Sequence, residues 1–139
     1  MMYYEVEFPV RYYECDQMGV VHHSNYVRYF EYARNEMMAE GGFPIGVCER
    51  DCHVMIPIVS LTCHFKHPAR MGERLKAVAM IDSVPMAKLT VRQAVYNAES
   101  GELCAEGEVV LGFIDSASFR PVRCPDPLVK LIESRLNDR

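Results

Sequence analysis

The chain has 139 residues, half of them hydrophobic and 24% charged, which is the size and balance of one ordinary folded domain and excludes a disordered chain. Its formal net charge of −4 excludes a polyanion-binding protein by bulk electrostatics and leaves only a local basic patch open. There is no Trp and no Lys/Arg cluster interleaved with aromatic residues, so nucleic acid is not an expected partner.

The opening MMYYEVEFPV lacks the basic n-region of a secretory signal, and no apolar run is long enough to span a bilayer. A cytoplasmic protein without membrane insertion is the expectation, with its six cysteines reduced. Cys48, Cys52 and His53 are near enough in sequence to suggest zinc, but no second CxxC-like pair completes a ligand set, so no metal is expected.

In chain order, Tyr4 to Tyr13 alternates: Val6, Phe8, Val10 and Tyr12 on one face, Glu5, Glu7 and Arg11 on the other. That predicts a half-buried strand, and Pro9, which has no amide to donate, predicts an edge or a bulge. A turn-rich loop, CDQMGVVHHSN, follows. The period then changes, and Tyr26, Tyr29, Phe30, Ala33 and Met37 predict an amphipathic helix, capped by Ser24 or Asn25 and ended by Gly41-Gly42. Residues 43–53 read as a loop.

After Pro57 alternation returns, with Val59, Leu61, Cys63 and Phe65 opposite Ser60, Thr62, His64 and Lys66. Leu75, Ala77, Ala79 and Ile81 mark the next strand, and Leu89, Val91 and Val95 another. Glu99-Ser100-Gly101 is a hairpin signal before a last strand carrying Leu103, Ala105, Val109, Leu111 and Phe113. Asp126 caps, and Pro127 opens, a short terminal helix with Leu128, Leu131 and Ile132 inside. Four consecutive hairpin-linked strands after one strand and a helix predict an α+β domain over residues 1–139: a five-stranded antiparallel sheet against one long helix. Val78, Met80, Val110 and Ile114 fall on the opposite sheet face and suggest that this face, or a sheet edge, is covered by a partner subunit.

The stretch from Tyr12 to Tyr26 joins a strand end to a helix start. It places Asp16 near a helix N-terminus, whose free amides can polarise a carbonyl oxygen. A carboxylate held there can attack that carbonyl or activate water, and Gly19 lets the backbone turn tightly. The ordinary alternatives are a turn-forming Asp and a solvated histidine pair.

The block VRYYECDQMGVVHHSNYVRYFEYARNEMM resembles the 4-hydroxybenzoyl-CoA thioesterase-like hotdog family, and within it the small bacterial acyl-CoA thioesterases associated with the Tol–Pal system. The resemblance rests on Asp16, Gly19-Val20-Val21, His22-His23, Asn25-Tyr26, Glu31 and Ala33-Arg34. It continues through Pro68-Ala69-Arg70, Ala105 to Val109 and Arg120-Pro121-Val122.

The resemblance implies a hotdog fold and hydrolysis of an acyl-CoA thioester to a free acid and coenzyme A. No cofactor is needed, since coenzyme A belongs to the substrate. It implies Asp16 as catalytic nucleophile or general base, and His23 as a catalytic residue whose amide faces the thioester carbonyl and whose imidazole assists by hydrogen bonding. Tyr26 matches the family's aromatic at the helix start. Lys66, Arg70, Lys88 and Arg120 are candidates for the coenzyme A phosphates. Met18, Val20, Val21, Met37 and Met38 are candidates for an acyl channel. The family also implies a homodimer or homotetramer with the site at the subunit interface. The rivals are a non-catalytic acyl-CoA or acyl-carrier-protein binding module of the same fold, and a hotdog dehydratase, whose helix signature is absent.

Overall fold

The computed structural model describes residues 1–138; Arg139, the last residue of the expected domain, lies outside them. Strand β1 (Met2–Pro9) is followed by a 3₁₀ turn at Tyr12–Glu14 and the 18-residue helix α1 (His23–Glu40). Then come a short helix α2 (Val47–Cys52), β2 (Val54–Met55), β3 (Ile58–Phe65), β4 (Arg74–Ile81), β5 (Lys88–Asn97), β6 (Leu103–Gly112), β7 (Ile114–Asp115) and α3 (Asp126–Asn137).

Five strands form one antiparallel sheet in the order β1-β4-β5-β6-β3, and β2 pairs with β7 apart from it. The α+β class and the five-stranded sheet agree with the expectation; the connectivity does not. Among the described strands of the sheet, only β4-β5 and β5-β6 are joined as hairpins. After Phe65 the chain leaves the sheet, the amides of Lys66 and His67 both reach Cys104 O, and Val20 bridges Arg70. Residues 66–73 therefore carry the chain from one sheet edge across the start of α1 to β4, which pairs with β1.

Helix α1 packs on one face of the sheet. Tyr29, Phe30, Ala33 and Met37 meet Leu75, Ala77 and Ile81 of β4, Leu89, Val91 and Val95 of β5, and Ala105 and Val109 of β6, all essentially without solvent contact. Each large apolar side chain so buried contributes about 1.5–3 kcal/mol, which anchors α1 to the sheet centre. Leu128 and Ile132 of α3 join the same cluster, while Leu131 stays half-buried.

Several boundaries move, each for a local reason. The first strand ends at Pro9 rather than Tyr13: proline offers no amide to the ladder, and the 3₁₀ turn that follows leaves Tyr12 and Tyr13 exposed. The expected loop 43–53 holds α2, whose six residues are too few to show periodicity. The residue before α3 is Pro125, with Asp126 already inside the helix. Val78 is only 2% exposed within the single chain, so it needs no partner to cover it; Met80, Val110 and Ile114 are half-buried.

Strand β3 is the thinly covered edge. Leu61 and Cys63 are half-buried, but Ile58, Val59 and Phe65 are 47%, 52% and 54% exposed. All six cysteines are free, and among the described residues no group of three or more His, Cys, Asp or Glu side chains is placed to hold a metal ion. Among the described residues no helix is long and apolar enough to cross a membrane.

Candidate active site

The loop between β1 and α1 is fastened at both ends. The Val10 amide donates to Glu73 O at 2.8 Å, holding the chain against the turn before β4. Glu14, 8% exposed, accepts the Arg11 amide at 2.8 Å through its carboxylate. Its backbone carbonyl accepts two donors from the far side of the loop, the His22 amide at 2.9 Å and Asn25 Nδ2 at 2.8 Å. The start of α1 is thereby clamped to the end of the β1 segment.

Between these fasteners residues 15–21 form a narrow hairpin. Cys15 bridges Val21, the Asp16 amide donates to Val20 O at 2.9 Å, and the Gly19 amide donates to Asp16 O at 3.0 Å. Gly19 has φ +77°, the left-handed conformation that glycine adopts without a Cβ penalty. Asp16 Oδ1 accepts the Met18 amide at 2.8 Å, which fixes the carboxylate in an Asx turn. Its other oxygen has no protein partner among the described residues and stays available. Asp16 itself is half-buried.

Across the hairpin stands the N-terminus of α1. The cap is His22, not Ser24 or Asn25: His22 Nδ1 accepts the Ser24 amide at 3.3 Å and lies 2.8 Å from Ser24 Oγ. The Asn25 side chain is instead committed to Glu14. The amide of His23, the first helical residue, donates to no protein group among the described residues, and the first turn holds no acidic side chain. A free amide and an uncompensated positive helix end therefore sit beside the Asp16 hairpin.

The wall next to it is aromatic. The His23 ring lies 4.1 Å from that of His22 and 6.4 Å from that of Phe65, and Tyr26 meets Phe65 edge-on at 5.5 Å. The Tyr26 hydroxyl accepts the amide of fully buried Ala69 at 3.2 Å, while the Val21 amide donates to Ala69 O at 2.8 Å. Burial pushes the Tyr26 phenol up. Tyr26 is thus a fastener of the wall. Desolvation, then the carboxylates of Glu14 and Asp16, push the Cys15 thiol up as well.

The expected cations divide into two groups. Lys66 and Arg70 flank Ala69 at the Asp16 end of the sheet, and both are exposed. Lys88 begins β5 opposite Gly112, the last residue of β6, and Arg120 follows β7, so both lie at the opposite sheet end. One chain does not gather all four. The acyl-channel candidates divide the same way. Met37 and Met38 line a cavity of about 510 Å³ between the C-terminal half of α1 and the sheet, which neither Asp16 nor His23 lines. Val21 is core, and Met18 is 77% exposed. Glu14 and Ala69 escaped sequence reasoning, because their roles rest mainly on backbone atoms that leave no mark in residue type.

A five-stranded antiparallel sheet packed on one long helix, with an acidic hairpin set against the helix start, defines a hotdog-fold protein. A family model described as the thioesterase-like superfamily matches residues 10–132, and the chain belongs to that superfamily. It is 31% identical over 117 residues to the putative acyl-CoA thioesterase YneP of Bacillus subtilis, spanning 84% of this chain and 83% of that one. It is 32% identical over 124 residues to the acyl-CoA thioester hydrolase YbgC of Escherichia coli O157:H7, spanning 88% of this chain and 91% of that one. The solved DHNA-CoA thioesterase of Staphylococcus aureus superposes with a TM-score of 0.87 at 27% identity, covering 99% of this chain and 92% of that one.

Proposed function

We propose that this chain hydrolyses acyl-CoA thioesters at the Asp16 hairpin. The thioester carbonyl oxygen sits against the free His23 amide, where the helix end stabilises the negative charge that develops as the carbonyl carbon becomes tetrahedral. The unpartnered Asp16 oxygen attacks that carbon, the thiolate of coenzyme A leaves, and water hydrolyses the resulting mixed anhydride to release the acid; alternatively Asp16 takes a proton from the water that attacks, and that proton passes to the departing thiolate. The His23 ring, exposed beside Phe65, is within the same wall and donates a hydrogen bond to the bound group. The observation that carries this reading is the pairing of an open carboxylate oxygen with an unpaired helix-start amide, clamped through Glu14 and Asn25. The likeness to YneP and YbgC supports the acyl-CoA class.

The working unit is a homodimer, or a tetramer of two such dimers, of the one domain spanning residues 1–139. Support comes from β3, an uncovered edge with exposed Ile58, Val59 and Phe65. A two-fold pairing of β3 with its copy is antiparallel, so Phe65 of one chain lies towards Ile58 of the other. That arrangement brings the opposite sheet end of the partner, with its Lys88, Arg120 and cavity, towards Asp16, and gathers the cations for the coenzyme A phosphates. Six free thiols fit a reducing, cytoplasmic setting.

The test is thiol release from a panel of aliphatic and aromatic acyl-CoA esters. Turnover of at least one ester supports the reading. Tight binding without release across the panel would instead favour the acyl-binding module.

A further inference from the structure

The cavity behind the C-terminal half of α1 holds a buried charge. Its walls are apolar, with Leu89, Val91 and Leu111 on the sheet side and Met37 and Met38 on the helix side, and its volume of about 510 Å³ is in the range of small-molecule sites. Arg34, only 6% exposed, lines it too. A guanidinium carries five N–H donors. Here one bond is made, from Nη1 to Gln93 Oε1 at 2.9 Å, and Gln93 is held in place by donating to Phe30 O at 2.7 Å.

Arg34 joins no ion pair among the described residues. Its remaining nitrogens are not sealed in the protein: the only fully enclosed polar side-chain atom without a partner among the described residues is the Tyr29 hydroxyl. They therefore open on the cavity. Burial pulls the Arg34 ionisation down, and Glu31 partly restores it. Glu31 and Glu49 line the cavity from its exposed side, where water screens them. They disfavour an anion that has no apolar body to hold it against them.

A buried cation with unmet donors inside an apolar cavity calls for a planar acceptor on an apolar chain, and a carboxylate matches the guanidinium fork in geometry and charge. We propose that this cavity binds a carboxylate carried on a medium-length apolar chain, with Arg34 gripping the carboxylate. The chemistry has two sources. One is a free fatty acid. The other is the far end of an ω-carboxyacyl group, and this source rests on the thioesterase reading and on the β3-edge dimer. Within one chain Arg34 lies eleven residues past His23, about 16 Å along the helix.

The experiment measures decanoate, decan-1-ol, decanamide and acetate binding by calorimetry on the full chain, and compares hydrolysis of adipoyl-CoA with hexanoyl-CoA. Decanoate is expected to bind on the order of tenfold or more tighter than the alcohol and the amide, with acetate not binding. Arg34→Met should abolish that preference, and Asp16→Asn should keep it, which separates this site from the catalytic reading. If decanoate fails but adipoyl-CoA is preferred over hexanoyl-CoA, and the preference vanishes in Arg34→Met, the ligand is the substrate's own end. Equal binding of acid, alcohol and amide with no adipoyl preference overturns the proposal. Should Arg34→Met not fold, intermolecular NOEs on the wild-type protein decide: contacts from decanoate, or from adipoyl-CoA bound to Asp16→Asn, to the methyls of Leu89, Val91 and Leu111 support it, and none with either ligand overturns it.

Discussion

Asn25 Nδ2 donates to the backbone carbonyl of Glu14 at 2.8 Å, across eleven residues of chain, and this bond ties the start of α1 to the end of the β1 segment. Every residue of the Asp16 hairpin lies between its two ends. Asn25 is 6% exposed, so losing its amide removes a buried hydrogen bond and leaves a small void. Asn25→Ala is expected to cost about 1–2 kcal/mol by urea unfolding at fixed protein concentration. Its turnover should fall further than that stability loss explains, because Asp16 and the His23 amide lose their fixed separation. Asn25→Asp should be worse, since it sets a carboxylate against a carbonyl. An alanine variant with unchanged turnover would show that the clamp does not position the site.

Tyr26 gives a second handle on the wall. Tyr26→Phe keeps the ring packing against Phe65 but strands the amide of buried Ala69. The expected cost is about 1–3 kcal/mol of stability, the penalty of an unsatisfied buried donor. If Tyr26 is only a fastener, KM and kcat measured well below the unfolding temperature should change little. A large kcat loss in a stably folded variant would assign its hydroxyl to the chemistry instead.

Gly107 controls how β6 meets the edge strand. It sits opposite Cys63, and a Cβ built there would collide with the Thr62 carbonyl. Because that neighbour is backbone, the ladder itself must move. Gly107→Ala should destabilise the fold by about 1–3 kcal/mol, the usual range for overpacking, and should raise hydrogen exchange at β3 first. Exchange unchanged along β3 would contradict the collision.

Alkaline pH should weaken the fold through the buried thiols. Burial pushes Cys48 and Cys104 up to about 11 and Cys124 up to about 12, from an ordinary value of 9.0. In the unfolded chain these thiols ionise near the ordinary value while the folded chain holds them protonated, so the unfolded state binds fewer protons above pH 9. Stability is therefore intact below that point and declines as pH rises towards the folded values. Thermal melts between pH 8 and 11 check the sign, and Cys124→Ala should show a shallower decline than the parent.

Much of this was readable beforehand, because period and residue type report burial well. The alternation around Leu75 to Ile81 and the spacing of Tyr29, Phe30, Ala33 and Met37 gave the sheet and helix that form the core. Strand order was not readable: β3 looks like a hairpin partner of β4, and nothing in residues 66–73 states that they cross to the far side of the sheet, beside β1. Helix α2 was hidden by its length. At the site, Asp16 and His23 stood out through residue type and the resemblance. The Glu14 carbonyl that binds their two elements together is a backbone atom, present in every residue and marked by none. The separation of Lys88 and Arg120 from Lys66 and Arg70 is likewise a matter of topology, invisible while the strands were unordered.

The central claim concerns the open oxygen of Asp16, and the most direct measurement is single-turnover thiol release by Asp16→Asn with the best acyl-CoA ester of the panel. The substitution keeps the shape of the side chain and the oxygen that accepts the Met18 amide. The account predicts a rate lower by about 10²–10⁴-fold or more, with acyl-CoA affinity close to that of the parent. A rate near that of the parent protein would contradict it.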